Sequence, residues 1–294
     1  MSIIIDGGTR LIVQGMTGRE GSFHTEQMLA YGTNVVGGVT PGKGGLDLFG
    51  LPVFNTVKEA AEKTGADATI IFVPARHTAE SVYEAIDAGV KTIMAISEHT
   101  PVHDMIKCYY YARMRGARLF GPNSFGIISP GKAKAGFMPH SIFIQGNVGV
   151  MTRSATNGYE AISLMTKAGI GQSTCVGIGG DMIPGSSYAD LLPDYEADPE
   201  TRAVVMIGEI GGYDEELAAE YIARYATKPV VALIAGKNAP KGKNMGHAGA
   251  IVSADGAGSA ENKENILRQA GAMIAESTCQ IVELLLDLRK EGKL

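Results

Sequence analysis

The chain has 294 residues, enough for two domains at the usual size of about 150 residues each. Its 26 Lys and Arg against 31 Asp and Glu give a formal net charge of −5. That balance argues against a general binder of nucleic acid or of anionic membranes, because both need a basic face. With 45% hydrophobic and 19% charged residues, the composition also excludes a disordered chain.

Three cysteines, Cys108, Cys175 and Cys279, are far apart in the sequence. This pattern is typical of thiols in a reducing compartment rather than of disulfides or a zinc site. The first residues, MSIIIDGGTR, lack the basic and apolar stretches of a signal peptide. No apolar run approaches the roughly 20 residues that cross a bilayer. We therefore expect a cytoplasmic protein that is not bound to a membrane.

Apolar and amphipathic stretches alternate through residues 11–120, which predicts strands and helices in turn. Continuous apolar strands between amphipathic helices indicate a parallel sheet covered on both faces, that is, a doubly wound α/β domain. The predicted strands are Leu11–Val13, Asn34–Val39, Ala68–Val73, Lys91–Ile96 and Arg118–Phe120, and the predicted helices are Ser22–Tyr31, Thr56–Thr64, His77–Ala88 and Pro101–Arg115.

Residues 127–146 interrupt this alternation with Pro and Gly and show no helical pattern. They are predicted to be the crossing between a first domain at 1–126 and a second at 147–294. The alternation then resumes and predicts a second parallel sheet. Its strands are Val148–Met151, Thr174–Ile178, Ala203–Ile207 and Val230–Ile234, and its helices are Tyr159–Lys167, Tyr188–Glu196 and Glu215–Tyr225.

A glycine-rich turn follows the first predicted strand, at Gly15-Met-Thr-Gly18-Arg-Glu-Gly21. Glycines at such a turn let a phosphate approach the backbone, and the next helix offers free N–H groups and the positive end of its dipole. The spacing is GxxGxxG and not the GxGxxG of dinucleotide sites, so a structural tight turn remains the alternative.

The second predicted strand runs into GGVTPGKGG, which contains Lys43 and no acidic residue. NAD sites carry Asp or Glu there to bind the ribose 2′-hydroxyl, so an NAD-dependent oxidoreductase is disfavoured. A glycine-lined pocket with one lysine suits coenzyme A, which has an extra 3′-phosphate; a solvated surface lysine is the alternative. The ends of the third and fourth strands, at Val73-Pro74-Ala75 and Ile96-Ser97-Glu98, are expected to complete the crevice.

His247 stands apart among six histidines because it lies on a glycine-rich loop after a strand, in PKGKNMGHAGA. A neutral imidazole is a competent phosphoryl acceptor, and flanking glycines leave it free to move. Glu209, in VVMIGEIGG, is placed to hold its other ring nitrogen. His99 and His103 are separated by Pro101 and have no third ligand nearby in sequence, so no metal site is predicted.

Phosphate chemistry is also expected at two strand–turn–helix junctions, TRSATN at 152–157 and GIGGD at 177–181, where helix N-termini can face a phosphate. No GxxxxGK[ST] loop occurs in the sequence. If His247 is phosphorylated from a nucleotide, a second chain must therefore bring the nucleotide and Mg²⁺.

Taken together, these stretches resemble the alpha subunits of succinyl-CoA synthetase, the NDP-forming succinate–CoA ligase, over nearly the whole chain. The resemblance is carried by VGGVTPGKGG, LPVFNTVKEA, STCVGIGGD, VMIGEIGG, APKGKNMGHAGAI and, more loosely, GPNSFGIISPG. It implies a Rossmann-like CoA-binding domain followed by a flavodoxin-like ligase domain. It also implies a beta subunit of the ATP-grasp type that supplies the nucleoside triphosphate and Mg²⁺, in an αβ or α₂β₂ assembly, with ATP and GTP both open.

The resemblance further implies site residues. His247 would be phosphorylated, Glu209 would orient it, and Tyr159 would be a substrate contact shared with the beta subunit. The implied CoA contacts are Thr17, Gly18, Arg19, Glu20, Lys43, Ile96, Ser97 and Glu98.

Two loops depart from the pattern of that family. Relatives read GPNCPG where this chain has GPNSFG, with Ser124 and Phe125, and SRSGTLTYE where it has TRSATNGYE, with Ser154 and Thr156. In the family both loops belong to the surroundings of the phosphohistidine and the acyl phosphate, so these four residues are expected to contact the substrate. The small carboxylic acid is succinate by default, with malate or citrate as alternatives, as in malate–CoA ligase or citryl-CoA synthetase. A CoA-binding regulator that has lost catalysis is the alternative from another class.

Overall fold

The computed structural model describes residues 2–240, 242, 246–252 and 258–294, which form two seven-stranded sheets. The first half of the chain contains strands β1 (Leu11–Gln14), β2 (Val35–Val39), β3 (Asp47–Leu48), β4 (Leu51–Phe54), β5 (Ala68–Ile71), β6 (Thr92–Ala95) and β7 (Arg118–Phe120). Its helices are α1 (Arg19–Ala30), α2 (Val57–Thr64), α3 (Ala75–Asp87) and α4 (Val102–Arg115).

The first sheet has the strand order β3-β4-β2-β1-β5-β6-β7 and is parallel except for the pair β3 and β4. From β1 the chain passes to β2 on one side and later to β5 on the other. Ligands of doubly wound sheets bind outside the carboxyl ends of the strands at such a reversal. The predicted doubly wound architecture is confirmed, and its expected binding crevice lies after β1 and β5.

Two glycines allow the turn after β1 to lie against the neighbouring strand. Gly15 has φ +79°, and a Cβ there would lie 2.4 Å from the carbonyl oxygen of Phe72. A Cβ on Gly21 would lie 2.1 Å from the carbonyl oxygen of Gly15. Gly18 is the N-cap of α1 and is exposed. The motif therefore packs the first turn of α1 tightly and leaves its N-terminus open.

The second half of the chain builds the second sheet. Its strands are β8 (Gly126–Ser129), β9 (Ala133–Gly136), β10 (Gln145–Thr152), β11 (Gln172–Gly177), β12 (Ala203–Glu209), β13 (Val230–Ala235) and β14 (Met273–Ile274), and a 3-10 helix spans His140–Ile142. Its helices are α5 (Ala155–Lys167), α6 (Tyr188–Ala197), α7 (Asp214–Tyr225), α8 (Ala260–Gln269) and α9 (Thr278–Lys290).

The second sheet has the order β14-β13-β12-β10-β11-β8-β9. Its five parallel strands follow the order 2-1-3-4-5, which is that of flavodoxin-like folds and places the reversal between β10 and β12. Strands β11 and β12 are buried along their whole length, which explains the unbroken apolar run of β12 from Ala203 to Ile207. No helix in the described ranges is long and apolar enough to span a bilayer.

The stretch 127–146, predicted to cross between the domains, builds an edge of the second sheet instead. Strand β8 pairs antiparallel with β11 through Ile128 and Cys175, and β9 pairs antiparallel with β8. Both strands are short and lie among Pro and Gly residues, so neither a helical nor an alternating period reveals them. The sequence pattern also did not predict β3, β4, β14, α8 and α9.

The carboxyl ends of the two sheets face each other. The N–H of Gly121, which follows β7, donates to the carbonyl of Ile178, which follows β11, at 2.9 Å. The N–H of Gly180 donates to the carbonyl of Asn123 at 3.0 Å, and the N–H of Thr100 donates to Oδ2 of Asp181 at 3.2 Å. The binding edge of the first sheet is thereby joined to the loops beyond β11.

Candidate functional site

The structure brings together the two residues that the sequence placed in phosphoryl chemistry. Glu209 is the last residue of β12 and is 7% exposed. His247 lies on the loop beyond β13, and its Nδ1 is 2.5 Å from Oε2 of Glu209. The side chain of His247 is 27% exposed. The Nδ1 edge of the imidazole is thus held by a buried carboxylate, while part of the ring remains accessible to solvent.

The loop that carries Glu209 lies directly against the loop of His247. Gly211 has φ +84°, and a Cβ there would lie 2.0 Å from the carbonyl oxygen of Gly249. A side chain at position 211 would therefore separate the two loops. Gly211, in the GEIGG stretch, accounts for this close approach.

Arg153 is a site residue that the sequence analysis missed. Its Nε lies 3.1 Å from Oε1 of Glu209, its Nη1 donates to Oδ2 of Asp214 at 2.9 Å, and its Nη2 donates to the carbonyl of Asp181 at 2.8 Å. The guanidinium is 7% exposed. Its position at the end of a strand could have indicated this role. Thr152 pairs with Ile207 across β10 and β12, so Arg153, the next residue, reaches the end of β12 at the strand reversal.

The carboxylate of Glu209 determines how the imidazole titrates. Its hydrogen bond raises the pKa of His247 above the ordinary value, against burial and the charge of Arg153, which lower it; Glu98 adds a smaller upward effect. Burial lowers the pKa of Arg153, but the carboxylates of Glu209 and Asp214 outweigh it, so that the pKa is raised overall. In the neutral imidazole, Nδ1–H donates to Glu209 and the lone pair resides on Nε2.

Gly180 makes room for the reactive side of the ring. A Cβ at this position would lie 2.5 Å from Nε2 of His247. A cavity of about 170 Å³ lies on another side, lined by Ser154, Asn157, Glu209, Ile210, Ala235, Gly236, His247 and Ala250. Ser154 caps α5 by accepting a hydrogen bond from the N–H of Asn157 at 3.3 Å. The positive end of the α5 dipole therefore borders the space beside His247.

A second, larger cavity of about 570 Å³ lies at the reversal of the first sheet. Five of the eight predicted CoA contacts line it: Gly18, Arg19, Glu20, Ile96 and Ser97. Its walls also contain Gly21, His24, Phe72, Val73, Pro74 and Phe137. An open helix N-terminus beside apolar walls suits a ligand with a pyrophosphate and a long flexible arm.

The other three predicted CoA contacts lie outside this lining. Thr17 shares a hydrogen bond of 3.2 Å with the hydroxyl of Thr40, which ties the turn after β1 to the loop that carries Lys43. Lys43 and Glu98 are both exposed, Glu98 with about half of its side chain accessible (52%). His24, which the sequence analysis missed, stacks on Phe72 with ring centroids 5.3 Å apart, and burial lowers its pKa.

The predicted substrate contacts separate into two groups. Ser154 lines the cavity beside His247, and Thr156 is exposed in the first turn of α5. Ser124 donates to the carbonyl of Gly177 at 2.7 Å and is buried. Phe125 is 2% exposed and lies in the hydrophobic core with its ring 5.3 Å from that of Tyr159. Phe125 is therefore a core residue and not part of a cavity wall in this structure.

Tyr159 also faces inward. Burial raises its pKa, and within the described ranges its buried hydroxyl has no hydrogen-bond partner. In the same ranges, no group of three or more His, Cys, Asp and Glu side chains is arranged to hold a metal ion.

Comparison with known proteins relates both halves of the chain to CoA chemistry. Family models described as "CoA binding domain" and "CoA-ligase" match residues 6–99 and 151–281. The first range holds the 570 Å³ cavity apart from Phe137. The second holds Arg153, Glu209 and His247.

Two curated relatives match almost end to end. The succinate–CoA ligase [ADP-forming] subunit alpha 2 of Archaeoglobus fulgidus is 52% identical over 288 residues, which is 98% of this chain and 100% of the relative. The corresponding subunit alpha of Aquifex aeolicus is 50% identical over 292 residues, covering 99% of this chain and 95% of the relative.

A solved structure, ATP citrate lyase from Methanothrix soehngenii in complex with citrate and coenzyme A, superposes with a TM-score of 0.87 at 25% identity. The match covers 98% of this chain and 51% of that one, so this chain spans about half its length. At about 50% identity over nearly its whole length, the chain belongs to the family of the alpha subunits of ADP-forming succinate–CoA ligase.

Proposed function

We propose that this chain is the alpha subunit of an ADP-forming succinate–CoA ligase and that His247 carries the phosphoryl group between nucleotide and substrate. The observation that carries the proposal is the hydrogen bond of 2.5 Å between Nδ1 of His247 and the buried Glu209. It fixes the tautomer in which Nε2 has the lone pair needed to attack phosphorus.

In the first step, Nε2 of His247 bonds to the γ-phosphorus of the nucleotide as the bond to the ADP oxygen breaks. The ring then bears a phosphoryl group on Nε2, a hydrogen on Nδ1 and a positive charge. Glu209 lies opposite that charge and stabilises it, and Arg153 holds the other carboxylate oxygen in place. The N-terminus of α5, capped at Ser154, offers its dipole to the phosphoryl oxygens.

In the later steps, the phosphoryl group moves from Nε2 to an oxygen of the carboxylic acid, giving an acyl phosphate. The CoA thiolate then attacks the acyl carbon, and phosphate leaves. Each step exchanges one activated bond for another, so the protein acts mainly by positioning and by stabilising charge.

CoA is assigned to the 570 Å³ cavity. The open N-terminus of α1 at Gly18 suits the pyrophosphate, and Phe72 and Phe137 suit the apolar part of the pantetheine arm. Lys43, exposed on the neighbouring loop, is assigned to the 3′-phosphate. Asn123 donates its N–H to the carbonyl of Ser97, in the cavity wall, and accepts from the N–H of Gly180, which lies beside His247. The CoA cavity therefore opens on the side of the acyl phosphate.

The nucleotide and Mg²⁺ are assigned to a beta subunit of the ATP-grasp type. Two observations support this assignment: the sequence has no GxxxxGK[ST] loop, and the relatives are named as alpha subunits. A partner chain must then dock so that its nucleotide reaches Nε2 of His247.

The direct test is phosphorylation of the assembled complex. Incubation of the alpha and beta subunits with γ-labelled ATP and Mg²⁺ is expected to give an acid-labile, base-stable label on this chain. His247→Asn should abolish the label and leave the affinity for CoA unchanged within about twofold. His103→Asn, an exposed histidine on α4, is the matched control and should be labelled normally. Persistent labelling of His247→Asn would refute the assignment.

The identity of the carboxylic acid substrate is tested by measuring kcat/KM for succinate, malate, citrate, itaconate and glutarate. Succinate is expected to be preferred, as the names of the relatives indicate. Phe125 lies in the core, so its substitution should not redirect the preference. A higher kcat/KM for malate or citrate than for succinate would contradict this proposal.

A further inference from the structure

A fully buried ion pair lies behind the loop that carries Glu209. Glu215, in the first turn of α7, is 1% exposed, and Lys263, on α8, is 0% exposed. Nζ of Lys263 donates to Oε2 of Glu215. Removing two charges from water is costly, and well-packed apolar residues often stabilise a core equally well or better. Stability alone therefore does not account for this pair.

The pair holds the backbone on both sides of the Glu209 carboxylate. Oε1 of Glu215 accepts a hydrogen bond from the N–H of Glu209 at 3.0 Å. Nζ of Lys263 donates to the carbonyl of Gly211 as well as to Glu215. The three residues from Glu209 to Gly211 are thus fixed at both ends by one ion pair.

The packing leaves this segment little room to shift. A Cβ on Gly208 would lie 2.5 Å from Oε1 of Glu215. On the opposite side, the N–H of Gly211 donates to the carbonyl of Gly258 at 2.7 Å, and a Cβ on Gly211 would lie 2.0 Å from the carbonyl oxygen of Gly249. The Glu209 segment therefore lies between the ion pair and the loop of His247.

We infer that Glu215 and Lys263 are positioning residues for phosphoryl transfer: they hold the backbone of Glu209 so that its carboxylate meets Nδ1 of His247. This inference rests on the proposed function. Neither residue contacts the imidazole through any hydrogen bond or ion pair seen in the described chain. Their effect passes through Glu209, and a displacement of about 1 Å at a reacting group can slow a reaction by about 10²-fold.

The acid limb of the pH profile reports on this effect. The charged groups acting on His247 are Glu209, Arg153 and Glu98, and the hydrogen bond from Glu209 is the largest influence, raising the pKa. If Glu209 is displaced, the pKa of His247 falls, so the neutral imidazole persists to lower pH. The acid limb of phosphorylation must then move to lower pH. A merely structural role would leave it in place.

The experiment uses the complete alpha–beta complex and three variants of this chain. Glu215→Leu combined with Lys263→Met removes both charges and both backbone hydrogen bonds. Glu215→Gln keeps an oxygen that can accept from the N–H of Glu209, and Oε2 of Glu216, 3.7 Å from Nζ of Lys263, still offers a nearby carboxylate. Lys132→Met combined with Glu200→Leu is the control. This ion pair lies near the amino end of β12, whereas Glu209 is at the carboxyl end of that strand.

For each variant, ADP–ATP exchange is measured from pH 5.5 to 8.5, together with the dissociation constant for CoA. The Glu215→Leu/Lys263→Met complex is expected to exchange about 10- to 100-fold more slowly, with its acid limb at lower pH and CoA affinity within about twofold of wild type. Glu215→Gln should keep the wild-type acid limb and most of the exchange rate. The Lys132→Met/Glu200→Leu control should match wild type.

Wild-type exchange and an unmoved acid limb in the Glu215→Leu/Lys263→Met complex would overturn the inference. If that variant fails to bind CoA, Glu215→Gln decides: a lost exchange with intact CoA binding overturns the inference, and a retained exchange with the wild-type acid limb supports it. Absence of label on wild-type His247 would instead refute the proposed function, so the two failures are distinguishable.

Discussion

Replacing Glu209 by glutamine removes a charge from between His247 and Arg153 while nearly preserving the shape of the side chain. Oε2 lies 2.5 Å from Nδ1 of His247, and Oε1 lies 3.1 Å from Nε of Arg153. An amide offers one oxygen and one NH₂ group. With the amide oxygen toward His247, the NH₂ group of the new side chain would face Nε of Arg153, donor against donor.

The size of the effect follows from the hydrogen bond that loses its charge. A hydrogen bond to a charged group contributes about 1.5–3 kcal/mol. Since about 1.4 kcal/mol corresponds to a factor of ten, the phosphohistidine should form about 10- to 150-fold less favourably in Glu209→Gln. The loss falls on the phosphorylated state, because only there does the ring bear its full positive charge.

The pH profile should change in a defined direction. Glu209 raises the pKa of His247, so in wild type the imidazole becomes protonated, and Nε2 loses its lone pair, at comparatively high pH as acid is added. Without the carboxylate the pKa falls. The acid limb of phosphorylation should therefore move to lower pH in Glu209→Gln even as the maximal rate decreases.

The assay is the rate of labelling by γ-labelled ATP in the alpha–beta complex from pH 5.5 to 8.5. Glu209→Asp keeps the charge and should keep the acid limb closer to that of wild type. Glu59, a partly exposed carboxylate paired with Lys63 on α2, provides the control: Glu59→Gln should change neither the rate nor the pH profile. A Glu209→Gln rate within twofold of wild type, or an acid limb that moves to higher pH, would refute the reasoning.

Three further predictions concern other parts of the site. Lys43→Ala should weaken the equilibrium binding of CoA by only about two- to fivefold, because exposed ion pairs contribute little. The affinity for dephospho-CoA should not change. Equal losses of affinity for both ligands would show that Lys43 does not bind the 3′-phosphate. Gly180→Ala places a Cβ 2.5 Å from Nε2 of His247 and should slow labelling by about 10²-fold, with the affinity for CoA unchanged. Normal labelling would show that the imidazole is not phosphorylated on the side that faces Gly180. Arg153→Lys keeps the charge but not the fork of donors. We expect the free energy of unfolding, measured by denaturant titration, to fall by about 1.5–3 kcal/mol, and labelling to be slower. An unchanged free energy of unfolding would contradict the role given to the three contacts of Arg153.

Much of the fold could be predicted from local pattern. A continuous apolar run such as that of β12 is buried on both faces, which is why it stands out in the sequence. The short strands β8 and β9 could not be recognised in this way. They become strands because β8 pairs with β11, about 48 residues further along the chain.

The site divides in the same manner. The amino-acid sequence by itself determined the glycine turn after β1, the histidine on a glycine-rich loop and the glutamate at a strand end, because each is a local pattern with a direct chemical meaning. The likeness to one ligase family assigned roles to these residues before their positions were known. These features needed no knowledge of strand order.

Only the tertiary structure decided which side chains surround them. Arg153 reaches Asp214 across 61 positions, Lys263 reaches Gly211 across 52, and Phe125 is enclosed in the core rather than placed on a cavity wall. Such contacts depend on the order of strands in a sheet and on the packing of α7 against α8, which no local period encodes. A buried charge has meaning only through the partner that the fold brings to it, and here the fold brings Lys263 to Glu215 behind Glu209.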